Sequence, residues 1–323
     1  MYDGNKTQNE RAKALALVSY EEAVYKEIST QIRQRLRLAF TDCLKYKDLV
    51  KLTEEIITRR KQNLELVTMR YDAGREHKGS LLTAKASLKE AEYEARQAAR
   101  NLDIAFRRLS RELGRKEFMP INIKGDFNLT ASDEIKKTYQ DYMEELPKIL
   151  EWKAEEEALG FEIKSGESEY KPKVTASLDA SLKDASFPPQ EEDWSTGLKV
   201  TYPLFDGDLR KSNLSKSKSK LKETNAKREN EESAIILELE ENWLKMNDAR
   251  ENVGVRKDFL EAVRERSKIA QAQYSNGLIT FDNWTLIEDD WVNAKKSYLN
   301  AEALALVAEA NWIQARGGTL DEN

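Results

Sequence analysis

Residue types that could make or break bonds are sparse in this chain. His77 is the only histidine and Cys43 the only cysteine. A His-ligated metal, a Ser-His or Cys-His pair, a Cys-based zinc site and an intrachain disulfide are therefore not expected. What stands out is charge. Asp282, Glu288, Asp289 and Asp290 place four acids within nine residues, Asp282–Asp290. A basic stretch, Arg75 to Ser80 with Lys78, lies far upstream. Such groups attract or repel ions rather than transform a substrate. Asp282 could also simply cap a helix, with Glu288 and Asp289 favouring its first turns.

These charges must be positioned by long elements. The 323 residues include only 13 Gly and 6 Pro, so few interruptions are expected. The net charge of −5 argues against a nucleic-acid grip. No run of 18 apolar residues marks a transmembrane helix, and no signal peptide is visible at the polar start.

An internal repeat organises the chain. Tyr2-Asp3-Gly4 recurs as Phe205-Asp206-Gly207, an offset of 203. Tyr71-Asp72-Ala73-Gly74 recurs as Tyr274-Ser275-Asn276-Gly277, and Leu113-Gly114 as Arg316-Gly317, at the same offset. Leu36, Cys43, Val50, Ile57, Leu64 and Tyr71 are spaced by seven. Their partners are Leu239, Met246, Val253, Leu260, Ser267 and Tyr274, with Ser267 the one polar exception. A heptad of this kind predicts a helix seam, and Cys43 reads as a core residue in it. After each Gly comes a second stripe. Ala84, Leu88, Ala91, Ala95, Ala98, Leu102, Ala105 and Leu109 match Ile287, Trp291, Ala294, Tyr298, Ala301, Ala305, Ala308 and Trp312. Trp291 and Trp312 read as packing residues.

Each copy is thus predicted as a long helix (5–72 and 208–275), a Gly turn and a shorter antiparallel helix. Between the copies, Pro120 and Pro147 punctuate the chain. Asp133 to Glu145 predicts a short helix, and Pro147 opens another, to about Ile163 or Gly166. The period then changes to two. Val174, Ala176, Leu178, Ala180 and Leu182 alternate with polar residues, and after a loop from Asp184 to Asp193 so do Trp194, Thr196, Leu198, Val200, Tyr202 and Leu204. This is a β-hairpin with one apolar and one polar face. It could lie on a soluble core or belong to a transmembrane barrel, whose strands need about 9–11 residues. The segments are therefore 2–114 and 205–317 as helical repeats, 115–172 as linker and helix, 173–204 as barrel hairpin and 318–323 as tail. The expected fold class is mainly α, with two long antiparallel helical hairpins related by the repeat and one β-hairpin of a transmembrane β-barrel.

This order of elements resembles the TolC family of outer-membrane efflux and secretion channels. The resemblance is carried by Tyr202 to Gly207, Arg70 to Gly74 and Tyr274 to Thr280. It implies a homotrimer, a passive conduit without covalent chemistry or cofactor. It also implies a twelve-stranded barrel in outer-membrane lipid, a roughly 100 Å periplasmic α-barrel, and docking to a periplasmic adaptor and an inner-membrane pump. It implies no metal and no nucleic acid. Adaptor-docking turns would then include Gly74, Arg75, Lys78, Gly277, Leu278 and Thr280, and Asp282, Glu288 and Asp289 would ring the closed entrance. Arg75 and Lys78 are the expected counter-charges, with His77 a solvated turn residue. No hairpin precedes Tyr2 as one precedes Phe205, so the chain reads as a fragment or truncated form of a longer channel. A soluble coiled-coil scaffold is the alternative, since it too would explain the heptads. Lys211 to Lys220 reads as a solvated helix face in preference to a lipid contact.

Overall fold

A computed structural model describes residues 1–117, 121–129, 138–183 and 191–319. Its elements are α1 (Lys6–Asp72), α2 (Lys78–Glu112), α3 (Tyr139–Glu145), α4 (Pro147–Ser168), β1 (Lys173–Lys183), β2 (Glu191–Thr201), α5 (Leu209–Ser275) and α6 (Phe281–Ala315). Helices α1 and α5 have 67 residues each, and α2 and α6 have 35 each. Each long helix is therefore about 100 Å from end to end. The two copies agree residue for residue at the offset of 203.

Both long helices start one residue later than the spacing predicts. Asn5 (φ 75°) and Asp208 (φ 64°) sit in the left-handed region, each directly after a left-handed glycine. Two such residues in a row cannot extend a right-handed helix. Pro147 opens α4 at its first turn as expected. The segment 130–137, which holds the first half of the expected Asp133–Glu145 helix, lies outside the described residues. So do Pro120, most of the loop from Asp184 (184–190, with Pro188-Pro189), residues 320–323 of the tail and the side chain of Leu182.

The chain forms two compact units. One comprises residues 1–28 and 140–236. Here the acids of α4 and its C-cap residue Glu169 reach both long helices: Glu169 meets Lys6 (2.7 Å), Glu162 meets Lys13 (2.6 Å) and Ser217, and Glu156 meets Arg228 (2.6 Å). Strands β1 and β2 pair antiparallel in this unit, with Val174 opposite Val200 and Ala180 opposite Trp194. Tyr2 bridges the free edge of β1 at Val174. The second strand begins and ends earlier than the alternation suggested, at Thr201 rather than Leu204. Pro203 has no N–H for the ladder, and β1 itself starts at the partner of Thr201.

The other unit comprises residues 29–139 and 237–323. Its apolar clusters follow the Ala-rich stripes. One joins Ala39, Cys43 and Leu44 to Ala105, Leu109, Ile123 and Leu306, so α1 faces α2 and α6 at once. Two partners widen the buried stripe of α1. Within its heptad series only Cys43 is fully buried; Leu36, Val50, Ile57 and Leu64 are half-buried, and Tyr71 is exposed. All sixteen stripe positions of α2 and α6 are buried or half-buried. Burial pushes the Cys43 thiol up to about 11, the state of an inert core thiol.

Candidate functional site at the helix turns

The turns are built by four repeats of one device. Gly74, Gly114, Gly277 and Gly317 all have positive φ. The N–H of Gly74 donates to Tyr71 O (2.9 Å) and that of Arg75 to Arg70 O (2.8 Å). The same pair of bonds recurs after α2, α5 and α6. This is the Schellman termination, which places a left-handed residue just past the last helical turn. The next helix is then capped by a side chain. His77 Nδ1 accepts from Ser80 N (3.2 Å) at α2, and Thr280 Oγ1 accepts from Asn283 N (3.4 Å) at α6. The expected helix cap, Asp282, is instead an exposed acid in the first turn. His77 is exposed and serves as the cap of α2.

Side chains then join the two turns. The buried Tyr274 hydroxyl donates to Glu76 Oε2 (2.8 Å), while Glu76 Oε1 accepts from Ser80 Oγ (2.8 Å). Arg70 lies 4.6 Å over the Tyr274 ring and donates to Tyr274 O (2.9 Å). Tyr274 stacks on Trp284 at 4.3 Å, and Phe281 meets Trp284 edge-on. Burial acts to raise the Glu76 pKa, but the bonds from Tyr274, Ser80 and His77 N–H outweigh it and hold it below the ordinary range. Burial and the Glu76 carboxylate together push the Tyr274 hydroxyl far up, so it stays a donor.

The acidic cluster divides. Glu288 is 2% exposed and does not face solvent in this chain. Arg59 grips both its oxygens (2.5 and 2.7 Å), Ser267 donates to Oε1 (2.7 Å) and Asn63 to Oε2 (3.2 Å). Burial disfavours its charge, yet Arg59 first, then Ser267 and Asn63, keep its pKa lowered. Asp289 pairs with Arg60 and remains half-exposed. The counter-charges of these acids are thus Arg59 and Arg60 of α1, not Arg75 and Lys78, which stay exposed at the first turn. The turn residues Gly74, Gly277, Leu278 and Thr280 are exposed as well. Trp291 packs under Arg59 (4.3 Å) and Lys295 (4.7 Å). Sequence reasoning missed Arg59, Asn63 and Glu76. The one signal was Ser267, the polar residue at a heptad position. Among the described residues, no group of His, Cys, Asp and Glu could hold a metal ion.

At the hairpin, the register puts Val174, Ala176, Leu178 and Ala180 on one face with Val200, Leu198, Thr196 and Trp194. Thr175, Ser177 and Asp179 share the other with Lys199, Gly197 and Ser195. The apolar face is uncovered: Leu178 is 71% and Leu198 75% exposed. No described helix is long and apolar enough to cross a membrane.

The model of the outer membrane efflux protein family matches residues 138–318, more than half of the chain. A search of curated proteins found no match. Among solved structures, the outer membrane protein VceC of Vibrio cholerae superposes with a TM-score of 0.84 at 17% identity, covering 99% of this chain and 78% of that one. A membrane protein of Pseudomonas aeruginosa gives 0.88 at 17% identity, covering 97% and 74%. The MtrE outer membrane channel of Neisseria gonorrhoeae, in its open state, gives 0.85 at 14%, covering 97% and 72%. Together with the repeat, the glycine turns and the two-faced hairpin, these matches make the chain a member of the outer membrane efflux protein family, the TolC-like channels of the Gram-negative outer membrane and periplasm.

Proposed function

We propose that this chain is the conduit subunit of a tripartite efflux or type I secretion assembly. Three copies enclose one passive duct, and a periplasmic adaptor and an inner-membrane pump dock at its helix turns. No covalent chemistry takes place. The observation that carries the reading is the hairpin: an apolar face of Val174, Leu178, Leu198 and Val200 that none of the described residues covers, joined to helices of 67 residues. Exposed aliphatic residues alternating with Thr175, Asp179, Lys199 and Thr201 fit lipid on one side and water on the other.

The docking surface in this reading is the exposed rim of Gly74, Arg75, Lys78, Gly277, Leu278 and Thr280. The entrance charge comes from Asp282, with Asp289 as a neutralised neighbour. Glu288 drops out of the entrance set because its carboxylate is consumed inside the chain.

The hairpin is tested by charge. Leu198→Lys should block membrane insertion, since lipid-facing Lys costs roughly 2–4 kcal/mol at midplane. Thr201→Lys should insert and conduct in planar bilayers. Equal effects of the two changes would refute the barrel. For the entrance, Asp282→Asn should reduce cation preference in single-channel recordings; unchanged selectivity would remove Asp282 from that role.

A further inference from the structure

The Arg59–Asn63–Ser267–Glu288 cluster is a buried polar island between two hydrophobic clusters of aliphatic and aromatic residues. Three helices supply it: α1 gives Arg59 and Asn63, α5 gives Ser267 and α6 gives Glu288. Ser267, Glu288 and Asn63 are 0%, 2% and 7% exposed. Both carboxylate oxygens are used, and Arg59 also donates to Ser267 Oγ. The cluster exists in one repeat only. At the offset of 203 the corresponding positions are Ala262, Arg266, Leu64 and Lys85, and Ala262, Arg266 and Lys85 are exposed.

Long helices with heptad seams face an ambiguity of register. Sliding α1 by seven residues exchanges Cys43, Val50, Ile57 and Leu64 for one another, so apolar contacts alone distinguish the registers poorly. At Glu288 the same slide is decisive. One direction brings Leu52 and Ile56 to the places of Arg59 and Asn63. The other brings Leu66 to the place of Arg59 and Arg70 to that of Asn63, and it breaks the bonds of Arg70 and Glu76 to Tyr274. A buried carboxylate stripped of its partner is strongly disfavoured.

We propose that Arg59, Asn63, Ser267 and Glu288 form a register pin: a buried polar set that fixes how α1 is seated along α6 and α5. Its value lies in uniqueness of alignment rather than in added stability, since well-packed apolar replacements of buried ion pairs are often neutral or stabilising. The inference does not depend on the conduit reading, because it concerns helix alignment alone.

The test reads alignment directly. In the full chain with Cys43→Ala, cysteines are placed as Glu55→Cys with Lys295→Cys, or as Asp48→Cys with Lys295→Cys. Glu55 and Lys295 meet in the native alignment, at 2.5 Å between Oε1 and Nζ, while Asp48, one heptad before Glu55, reaches Lys295 only in the slide that brings Leu52 and Ile56 to the places of Arg59 and Asn63. A short bismaleimide should link the native pair over the slipped pair by roughly tenfold or more, the bias expected when the alternative strands a buried charge. Adding Arg59→Met, Asn63→Leu, Ser267→Ala and Glu288→Leu together should bring the two yields within about twofold, with helicity and melting midpoint kept or raised. If that variant retains the native bias, the pin is refuted. If it fails to fold, Arg59→Glu and its combination with Glu288→Arg decide. The single change should lose the native bias and the combination should restore it, and failure to restore it overturns the proposal.

Discussion

The two turn regions share a backbone and differ in chemistry. Gly74 and Gly277 have the same left-handed conformation, and His77 and Thr280 cap at equivalent positions. Yet Tyr71 is exposed, while its counterpart Tyr274 is fully buried, stacked on Trp284 and bonded to Glu76. Lys85 lies in solvent, while its counterpart Glu288 is buried under Arg59. Helix α6 buries sixteen residues where α2 buries seven, so α6 is the enclosed member of the short pair. The lesson is that a duplicated backbone can be held by glycines and caps while its side chains divide the labour. At the turns, the first copy supplies a surface and the second an anchored core.

The sharpest way to break this contrast is at Glu288. Glu288→Ala should destabilise the chain by roughly 3–5 kcal/mol, because it leaves Arg59, Asn63 and Ser267 without their shared acceptor. Lys85→Ala, at the matching exposed position, should stay within about 0.5 kcal/mol. Denaturant midpoints of the two variants measure the difference, and similar losses would erase the asymmetry. Next comes the tyrosine pair. Tyr274→Phe removes a hydrogen bond to a carboxylate, worth roughly 1.5–3 kcal/mol, whereas Tyr71→Phe should change nothing measurable in a thermal melt.

A smaller effect should be shared by both copies, since it belongs to the backbone. Gly74→Ala and Gly277→Ala each force a Cβ into the left-handed region, at about 1–2 kcal/mol. Unequal losses would mean that the turns are not held by the same device. The last contrast is in pH. Glu76 and Glu288 both have folded-state pKa values lowered from the usual carboxylate value. Their contribution is therefore present above the unfolded value, about 4.3, and is lost as pH falls through the folded value. Combining Glu76→Gln with Glu288→Gln should flatten the stability profile below about pH 4.3. A profile of unchanged slope would show that other carboxylates dominate acid unfolding.

What was legible in the sequence is what the backbone decides locally. Helix extents, glycine turns and the two-faced hairpin follow from apolar period and from Gly and Pro, each read within a few residues. The ends of β2 moved because ladder length depends on a partner strand, not on its own alternation. The ion pairs at the acidic cluster were not legible. Which face of α1 meets α6 joins residues 229 positions apart, and nothing near Arg59 announces that. Asp282 as a cap failed for a subtler reason: Thr280 already supplies the oxygen two residues earlier, leaving Asp282 inside the first turn. Ser267 was the available hint, a single polar residue in a heptad series where its first-copy counterpart is Leu64.

The matched lengths carry an evolutionary consequence. Helices of 67 and 35 residues recur in both copies, and every stop is set by its own glycine. A deletion in α1 alone would leave its turn out of step with that of α5, and Glu76 would no longer reach Tyr274. Insertions or deletions of whole heptads, matched in all four helices, would keep the seams and the turns in step. Such matched changes would alter the depth of the helical region in steps of about 10 Å, seven residues at 1.5 Å each, so heptads are the natural marks on its ruler.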